Sequence, residues 1–342
     1  MSVRVAVLSG GRSSEHEVSI ESARSVRGAL EAEGLDVLSV LITKDGTWLL
    51  DDEPVALVPG GIGSGRIRGE RGRVEDVDVV FPVLHGPYGE DGVIQGLCEA
   101  AGAPFVGAGV SASAIAMDKV LFKMLLRDAG IPSADFVAVT APAYRADPDA
   151  IAAAVDRLSY PLFCKPARLG SSVGISRVAA PEELHTAIEL ALVHDSKVLI
   201  EEGVVGRELE VGILGNDDDL IVSPPGEIHY DADWYDYETK YTPGLARVEI
   251  PASVEPEVEA DLKALAGRAY VALECAGMGR VDFFLREDGS ALMSELNTIP
   301  GFTQTSAYPS LMAAAGVEYG ALVRRLVHLA QARAAQVNAL KC

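Results

Sequence analysis

Short apolar runs and segments of helical spacing alternate along the first third of the chain. The run at Val3–Leu8 ends in the turn Ser9-Gly10-Gly11, as buried parallel strands do where they meet a helix. The alternation continues as a helix, a strand, a strand and a helix at Glu17–Glu33, Asp36–Thr43, Asp78–Leu84 and Val93–Ala101. This rhythm predicts an open α/β sheet, because strand–helix–strand units place their strands side by side.

The rest of the chain is long enough for further domains, since 342 residues exceed the usual size of a single core. A long helix is predicted over Ser111–Asp128, with Gly130 and Pro132 as its stop signal. A small α+β unit is predicted to follow, between residues 135 and 202. The glycine- and arginine-rich stretch Gly60–Gly72 predicts an exposed loop.

The charge and the cysteines narrow the class of protein. The formal charge is −21, so a nucleic acid is not expected as a partner, because backbone phosphates bind a surplus of Lys and Arg. The four cysteines form no CxxC pair, which predicts buried free thiols in a reducing compartment. No signal peptide and no apolar run of spanning length are found, so we expect a cytoplasmic protein without a membrane segment.

Polar side chains interrupt two apolar strands near the C-terminus. Arg280 and Asp282 lie in GRVDFF, and Glu295 and Asn297 lie in SELN, after the short turn REDGS. Residues i and i+2 of a strand share one face, so a hairpin would bring all four side chains together. Carboxylate and amide oxygens suit Mg²⁺, and an arginine beside them suits phosphate. The alternative is a polar sheet face exposed to water.

Lys165 interrupts another apolar strand, PLFCKPA, and is followed at once by ARLGSSVG. A lysine there would be compensated by a nucleotide phosphate, and a glycine- and serine-rich loop lets backbone and hydroxyl donors approach phosphate. The alternative is an edge-strand lysine that prevents aggregation. The connector KVLIEEGVVGRE could supply an adenine contact, with Glu201 or Glu208 on ribose hydroxyls.

Taken together, these segments resemble the ATP-grasp superfamily, and within it the D-alanine–D-alanine ligases. The matching segments occur in the family's order from Leu8 to about Leu326: GGRSSEHEVS, LHGPYGEDG, MDK, CKPARLGSSVG, VLIEEGVVGRELE, YDYETKY, GRVDFF and ELNTIPGFTQTSAYP. The resemblance implies an N-terminal α/β domain at 1–118, an α+β lid domain at 119–203 and a catalytic domain at 204–342. ATP would lie between the last two.

The resemblance also implies which residues hold ATP and metal. Two Mg²⁺ ions, with Mn²⁺ able to substitute, would lie on Asp282, Glu295 and Asn297. Lys119, Lys165 and Ser172 would contact phosphates. Glu201, Val204 and Glu208 would line the adenine and ribose pocket.

The family's D-alanine site maps onto further residues. Glu15 would bind the amino group of the first D-alanine, with His85 nearby, and Arg280 would stabilise the transferring phosphoryl group. The second D-alanine would meet Gly301, Ser306 and Lys240. Tyr241 would bond with Ser171 and Glu15 and so close the site against water.

Three alternatives stay open at this point. The same fold could make D-alanyl-D-lactate or D-alanyl-D-serine; Tyr241 favours the dipeptide, whereas the small Ala307 after Ser306 widens the choice of second substrate. A nucleotide-binding dehydrogenase is disfavoured because no GxGxxG follows the first strand. An inactive ATP-binding regulator is disfavoured because all three metal-ligand positions are filled. Relatives are usually homodimers, and we expect the same assembly here.

Overall fold

The part of the chain that the structure describes forms three β-sheets that follow one another in sequence. The structure is a computed structural model and describes residues 2–61, 63–230 and 246–340. In these ranges, no helix has both the length and the apolar composition to cross a membrane. The described cysteines Cys98, Cys164 and Cys275 are buried and free, as predicted, whereas Cys342 lies outside the described ranges.

The first sheet has the order β6-β5-β4-β3-β2-β1-β7. Its strands are β1 Arg4–Gly10, β2 Asp36–Ile42, β3 Trp48–Leu50, β4 Glu53–Gly61, β5 Ser64–Gly69, β6 Val74–Val77 and β7 Val79–Pro82. β1 pairs in parallel with β2 and β7, which confirms the predicted α/β core. Helix α1 (His16–Ala32) connects β1 to β2, and α2 (Val93–Ala101) follows β7.

The predicted loop at Gly60–Gly72 is wrong. Residues 60–61 belong to β4, and Ser64–Gly69 form β5, which pairs antiparallel with β4 and β6. Ile67 is fully buried in this hairpin, so one apolar side chain fixes the face of the strand. Glycines usually indicate a loop, but here they also allow close packing of a strand. A Cβ on Gly65 would lie only 2.7 Å from the Cβ of Ala103, so a larger residue would clash.

The predicted long helix at Ser111–Asp128 is also wrong, because it consists of two helices. They are α3 (Val110–Met117) and α4 (Lys119–Asp128), separated by Asp118 in an extended conformation. The Asp118 carboxylate accepts from the amide of Leu121 at 3.2 Å and also pairs with Lys197 of the next sheet. This carboxylate therefore caps α4 and ties it to the second sheet.

The second sheet has the order β10-β9-β11-β8. It consists of β8 (Phe136–Thr140), β9 (Leu162–Pro166), β10 (Ser176–Val178) and β11 (Lys197–Glu202), with helices α5 (Ala141–Ala146), α6 (Pro148–Val155), α7 (Leu184–Leu192) and a 3₁₀ turn at Pro181–Glu183. β9 lies inside this sheet, between β10 and β11. The alternative interpretation of Lys165, as a lysine that protects an edge strand from aggregation, is therefore wrong.

The third sheet has the order β15-β14-β12-β16-β17, with β13 beside β12. Its strands are β12 Arg207–Asn216, β13 Asp219–Val222, β14 Gly226–Tyr230, β15 Ala246–Glu249, β16 Gly277–Leu285 and β17 Ala291–Asn297. The remaining described helices are α8 (Pro256–Ala272), α9 (Ala307–Ala314) and α10 (Tyr319–Ala339). α9 was not predicted from the sequence.

One hydrophobic core joins the first sheet to the C-terminal part of the chain. Phe302, fully buried, contacts Phe81 of β7, Tyr308 of α9 and Tyr319 of α10, with ring centroids 6.0, 5.7 and 5.9 Å away. Leu326 and its neighbours on α10 belong to the same core. The segment after β17 is therefore held against the first sheet.

We predict that Asp118→Ala lowers the free energy of unfolding by about 3 kcal/mol, because it removes a helix cap and leaves Lys197 without its carboxylate. Urea unfolding followed by circular dichroism measures this. The matched control is Lys263→Ala, which breaks an exposed pair with Glu259 and should cost under about 0.5 kcal/mol. Equal costs for the two variants would contradict the assignment of Asp118 as a structural tie.

Candidate functional site

The hairpin of β16 and β17 carries the polar face that the sequence predicts. In its antiparallel register Arg280 lies opposite Asn297, and Asp282 lies opposite Glu295. The alternate residues Val281, Phe283 and Leu296 are buried in the core. The period of two in a strand therefore sends four polar side chains to one face and the apolar ones to the other.

Arg280 is held by two carboxylates. Its Nε and Nη2 donate to Asp282 Oδ1 and Oδ2, both at 2.7 Å, and Nε lies 3.1 Å from Oε1 of Glu210 on β12. Burial alone would lower the pKa of Arg280, but Asp282 and Glu210 outweigh burial and raise that pKa well above its ordinary value. The guanidinium is therefore a fixed positive charge. Glu210 was missed from the sequence, where it looks like any alternating strand residue.

The chemistry of this face fits a hard cation. Asp282 and Glu295 supply carboxylate oxygens, and Asn297 supplies an amide oxygen because its Nδ2 is engaged as a donor to Asp282 Oδ2 at 2.9 Å. Mg²⁺ takes one or two protein carboxylates and completes its shell with phosphate oxygens and water. The three side chains match that requirement, with the cleft beside them for the remaining ligands.

A cleft of about 360 Å³ opens in front of this face, between the second and third sheets. The cleft brings together residues that the sequence separates by more than 120 positions, from Lys165 to Glu295. Arg280 lines the cleft, as do all but two of the residues predicted to contact ATP or metal: Lys165, Ser172, Glu201, Val204, Glu208, Asp282 and Glu295. Lys119 and Asn297 are outside this lining, as is the loop residue Ser171.

Two lysines share one carboxylate at one end of the cleft. Lys165 Nζ pairs with Glu201 Oε1, and Lys123 Nζ lies 2.8 Å from Glu201 Oε2. Burial alone would raise the pKa of Glu201, but the two ammonium groups outweigh burial and lower the pKa to about 2. Lys123 was missed because a lysine in an amphipathic helix normally indicates the solvated face. The available signal was its position one turn after Lys119.

Glu208 and the glycine- and serine-rich loop occupy the sides of the cleft. The Tyr230 hydroxyl donates to Glu208 Oε1 at 2.6 Å. The Lys119 ammonium donates to the carbonyl of Leu169 in the loop at 2.7 Å. Ser171 and Ser172 have φ of 53° and 57°, a left-handed conformation that side chains rarely adopt. The loop is therefore held in a specific shape next to the cleft.

The loop meets the N-terminal part of the chain through Ser171, whose hydroxyl donates to Glu15 Oε1 at 2.6 Å. The Glu15 carboxylate also packs against the loop after β7, because a Cβ on Gly86 would lie only 2.7 Å from Glu15 Oε2. Glu15, Ser171 and the His85 loop thus converge, as the resemblance implies. Lys240 and Tyr241 lie outside the described residues.

His85 and Glu90 hold the segment that follows β17. His85 Nδ1 donates to the carbonyl of Ile299 at 3.1 Å, and Glu90 accepts from the amides of Ile299 at 3.3 Å and Gly86 at 2.8 Å. Burial lowers the pKa of His85, so the neutral ring is favoured. Both backbone groups of Ile299 are therefore bound by residues of the first sheet's final loop. Glu90 was missed although it lies within the quoted motif.

Gly301 and Ser306 lie close together in the segment that follows Ile299. Ser306 Oγ accepts from the amide of Thr303 at 3.0 Å, and a Cβ on Gly301 would lie 3.4 Å from it. Ser306 immediately precedes α9, so it stands at the partly positive N-terminal end of a helix. This position suits the carboxylate that the resemblance places there.

We predict a pH-dependent loss of stability that Glu90 causes. Burial, followed by the charge of Glu15, raises the pKa of Glu90 from 4.5 to about 8. Between pH 4.5 and pH 8 Glu90 therefore keeps its proton in the folded state and loses it in the unfolded state. The free energy of unfolding thus falls as the pH rises through this interval, by up to a few kcal/mol.

Urea unfolding between pH 5 and pH 8 tests this contribution. Glu90→Gln should lose less stability over this interval than the unmodified protein, because glutamine has no proton to release. Glu287→Gln, which changes an exposed carboxylate, serves as the control and should leave the pH dependence unchanged. If the curve for Glu90→Gln runs parallel to that of the unmodified protein, the raised pKa is contradicted.

Comparison with known proteins identifies the family. Models of the D-ala D-ala ligase N-terminus and C-terminus match residues 4–108 and 125–328. The D-alanine–D-alanine ligase of Deinococcus radiodurans is 51% identical over 336 residues, which cover 96% of this chain and 99% of that protein. The protein of the same name from Chlorobium limicola is 43% identical over 351 residues, covering 96% of each chain.

Solved structures agree with the sequence comparisons. The VanG D-Ala:D-Ser ligase from Enterococcus faecalis superposes with a TM-score of 0.87 at 36% identity, covering 96% of this chain and 100% of that chain. The D-alanine-D-alanine ligase from Coxiella burnetii superposes with a TM-score of 0.87 at 32% identity, covering 98% and 96%. The chain has the ATP-grasp fold and belongs to the D-alanine–D-alanine ligase family.

Proposed function

We propose that the cleft between the second and third sheets binds ATP, and that Glu15 and Ser306 bind D-alanine, in an enzyme that joins two D-alanine molecules. As a member of its family, the chain is an ATP-dependent ligase that makes D-alanyl-D-alanine for peptidoglycan precursors. The observation that carries the site assignment is the single face of Arg280, Asp282, Glu295 and Asn297 beside the cleft.

We assign one group of cleft residues to the phosphates of ATP and another group to its adenine and ribose. Lys119, Lys165 and Ser172 would contact the phosphates, since two ammonium groups and a hydroxyl are donors suited to phosphate oxygens. Glu201, which pairs with Lys165, would receive adenine and ribose together with Val204 and Glu208 of the connector that follows. The placement is supported by the cleft lining, in which charged residues lie next to the exposed connector after β11.

We assign Asp282, Glu295 and Asn297 to two Mg²⁺ ions, for which Mn²⁺ would substitute because it accepts the same oxygen ligands. When bound, the ions would offset the negative charge of the phosphates as an anionic carboxylate approaches. Arg280 would contribute at the same place from the protein side. Its fixed charge would stabilise the transferring phosphoryl group and then the tetrahedral oxyanion.

The reaction then follows from the positions of the chain's own groups. Glu15 would hold the ammonium group of the first D-alanine, next to His85, so that its carboxylate points toward the γ-phosphate. Attack there gives D-alanyl phosphate and ADP. The amine of the second D-alanine, oriented through its carboxylate by Ser306 and Lys240, then attacks the acyl carbon and displaces phosphate. The amide of Gly301 would donate to the oxyanion.

Water must be excluded while D-alanyl phosphate exists, because this mixed anhydride hydrolyses. Ser171 already reaches across from the lid loop to Glu15, a contact between the second sheet's loop and the N-terminal part. Tyr241 would join that contact and complete the closure. We therefore treat the loop and Tyr241 as one lid over the D-alanine site.

The domain limits stay at 1–118, 119–203 and 204–342. They are supported by the three sheets, whose strands fall within residues 4–82, 136–202 and 207–297, and by the break between α3 and α4 at Asp118. A cytoplasmic homodimer is the expected form of the enzyme, which sedimentation velocity would test against a monomer of 36.0 kDa.

A D-alanyl-D-serine ligase is the second candidate. It is favoured by the superposition on the VanG D-Ala:D-Ser ligase and by the small, half-buried Ala307 next to Ser306. A smaller side chain at this point leaves more room for the second substrate. Because one lost methylene contact changes discrimination by only about 1–3 kcal/mol, product analysis is needed to separate the candidates.

We predict that D-alanine alone, with ATP and Mg²⁺, supports release of phosphate and that mass spectrometry identifies D-alanyl-D-alanine. Added D-serine or D-lactate should leave the dipeptide as the main product. Removing the divalent ion with EDTA should lower the rate at least about 100-fold, because the phosphate charge is then uncompensated. Turnover that requires D-serine or D-lactate would overturn the assignment of the second substrate.

A further inference from the structure

Glu201 is shared unequally by its two lysines. Lys123 lies on Oε2 with a side chain only 3% exposed, whereas Lys165 lies on Oε1 with 16% exposed. Lys123 also donates to the carbonyl of Ala134 at 3.3 Å and lies 5.9 Å from the ring centroid of Phe136. These contacts hold Lys123 on several sides at its place in the cleft wall, where it is tied to Glu201.

Lys165 is placed differently. Its ammonium group stands over the Phe163 ring, 5.6 Å from the centroid, and it is close enough to feel the charges of Glu295 and Glu208. These carboxylates belong to the third sheet, on the far side of the cleft. Lys165 therefore faces the volume assigned to the phosphates of ATP, while its present partner Glu201 stands beside it on β11, in the wall of the same cleft.

A conflict follows if Lys165 contacts a phosphate. The lysine would have to weaken its pair with Glu201, and a buried carboxylate left without a cation is strongly unfavourable. Lys123 removes this conflict, because it stays on the other oxygen of the same carboxylate. The Glu201 carboxylate can therefore lose its pair with Lys165 and still be paired with Lys123.

We propose that Lys123 is a positioning residue, a permanent counter-ion of Glu201 that allows Lys165 to turn from Glu201 to the phosphates of the nucleotide. This inference rests on the proposed ATP site and adds a role for a residue outside the reacting groups. It requires that Lys123 affects the binding of phosphates and leaves the binding of the nucleoside unchanged.

The test compares the dissociation constants of ADP and adenosine by isothermal titration calorimetry, with Mg²⁺ present. The dissociation constant of adenosine divided by that of ADP measures how much the phosphates add to binding; below, the ratio means this quotient. Lys123→Met should lower this ratio about tenfold or more, because Lys165 becomes the sole cation on Glu201 and stays there. Adenosine should bind within about threefold of its original strength. Lys263→Met, on an exposed helix face, is the control and should leave the ratio unchanged.

A second arm uses Glu201→Gln, which removes the charge that competes for Lys165. In this background Lys123→Met should change the ratio less than about twofold. If Lys123→Met alone does not fold, Glu201→Gln must still raise the ratio, since Lys165 is then free for the phosphates. An unchanged ratio there would overturn the proposal.

Two other results would also overturn the role of Lys123. One is an equal loss of ADP and adenosine binding in Lys123→Met, which would indicate that Lys123 only supports the pocket. The other is a drop in the ratio that persists in the Glu201→Gln background. Failure of the unmodified protein to bind ADP would instead reject the proposed ATP site itself, so the two failures are distinguishable.

Discussion

The pair of carboxylates around Arg280 is the interaction on which the rest of the site depends. Asp282 and Glu210 belong to neighbouring strands, and both hold the same guanidinium. A half-buried arginine of this kind is stable only when its charge is compensated, and a cluster of carboxylates is stable only beside a cation. The strands β12, β16 and β17 thus carry one arginine among three carboxylates, those of Glu210, Asp282 and Glu295, and this net negative face borders an open cleft that can admit a cation.

The position of this face relative to the N-terminal part is fixed at Ile299. Its amide and its carbonyl are both bound, by Glu90 and His85, two residues after the predicted metal ligand Asn297. The Phe302 core lies just beyond. Backbone groups held at both ends leave little freedom for the segment from Asn297 to Ser306, so the first sheet determines where the residues assigned to the second D-alanine stand.

How much could be predicted from the sequence differed between elements for physical reasons. The β16–β17 hairpin was predictable because strict alternation of polar and apolar residues has one structural solution, a half-buried strand pair. The break at Asp118 was not, because the sequence there has no glycine or proline, and the cause is a tertiary ion pair with Lys197. Strand β5 was hidden by glycines that normally indicate a loop.

The candidate site shows the same division. Segments with unusual composition, such as SELNTIPGF and ARLGSSVG, indicated the metal and phosphate residues directly. Lys123, Glu90 and Glu210 gave no such signal, since a charged residue in a helix, a loop or a strand usually faces solvent. Their importance comes from burial and from partners far away in the chain, such as Glu201 and Ile299, which only the fold brings near.

Replacing Arg280 by alanine tests the central claim most directly, with kcat and the dissociation constant of ADP measured on the same protein. We predict a fall in kcat of at least about 100-fold, because the developing charge loses a positioned donor, and a much smaller fall in the affinity for ADP, whose other assigned contacts remain. Arg286→Ala, at the exposed end of the same region, should leave both values unchanged. Normal turnover with weakened ADP binding in Arg280→Ala would contradict the account.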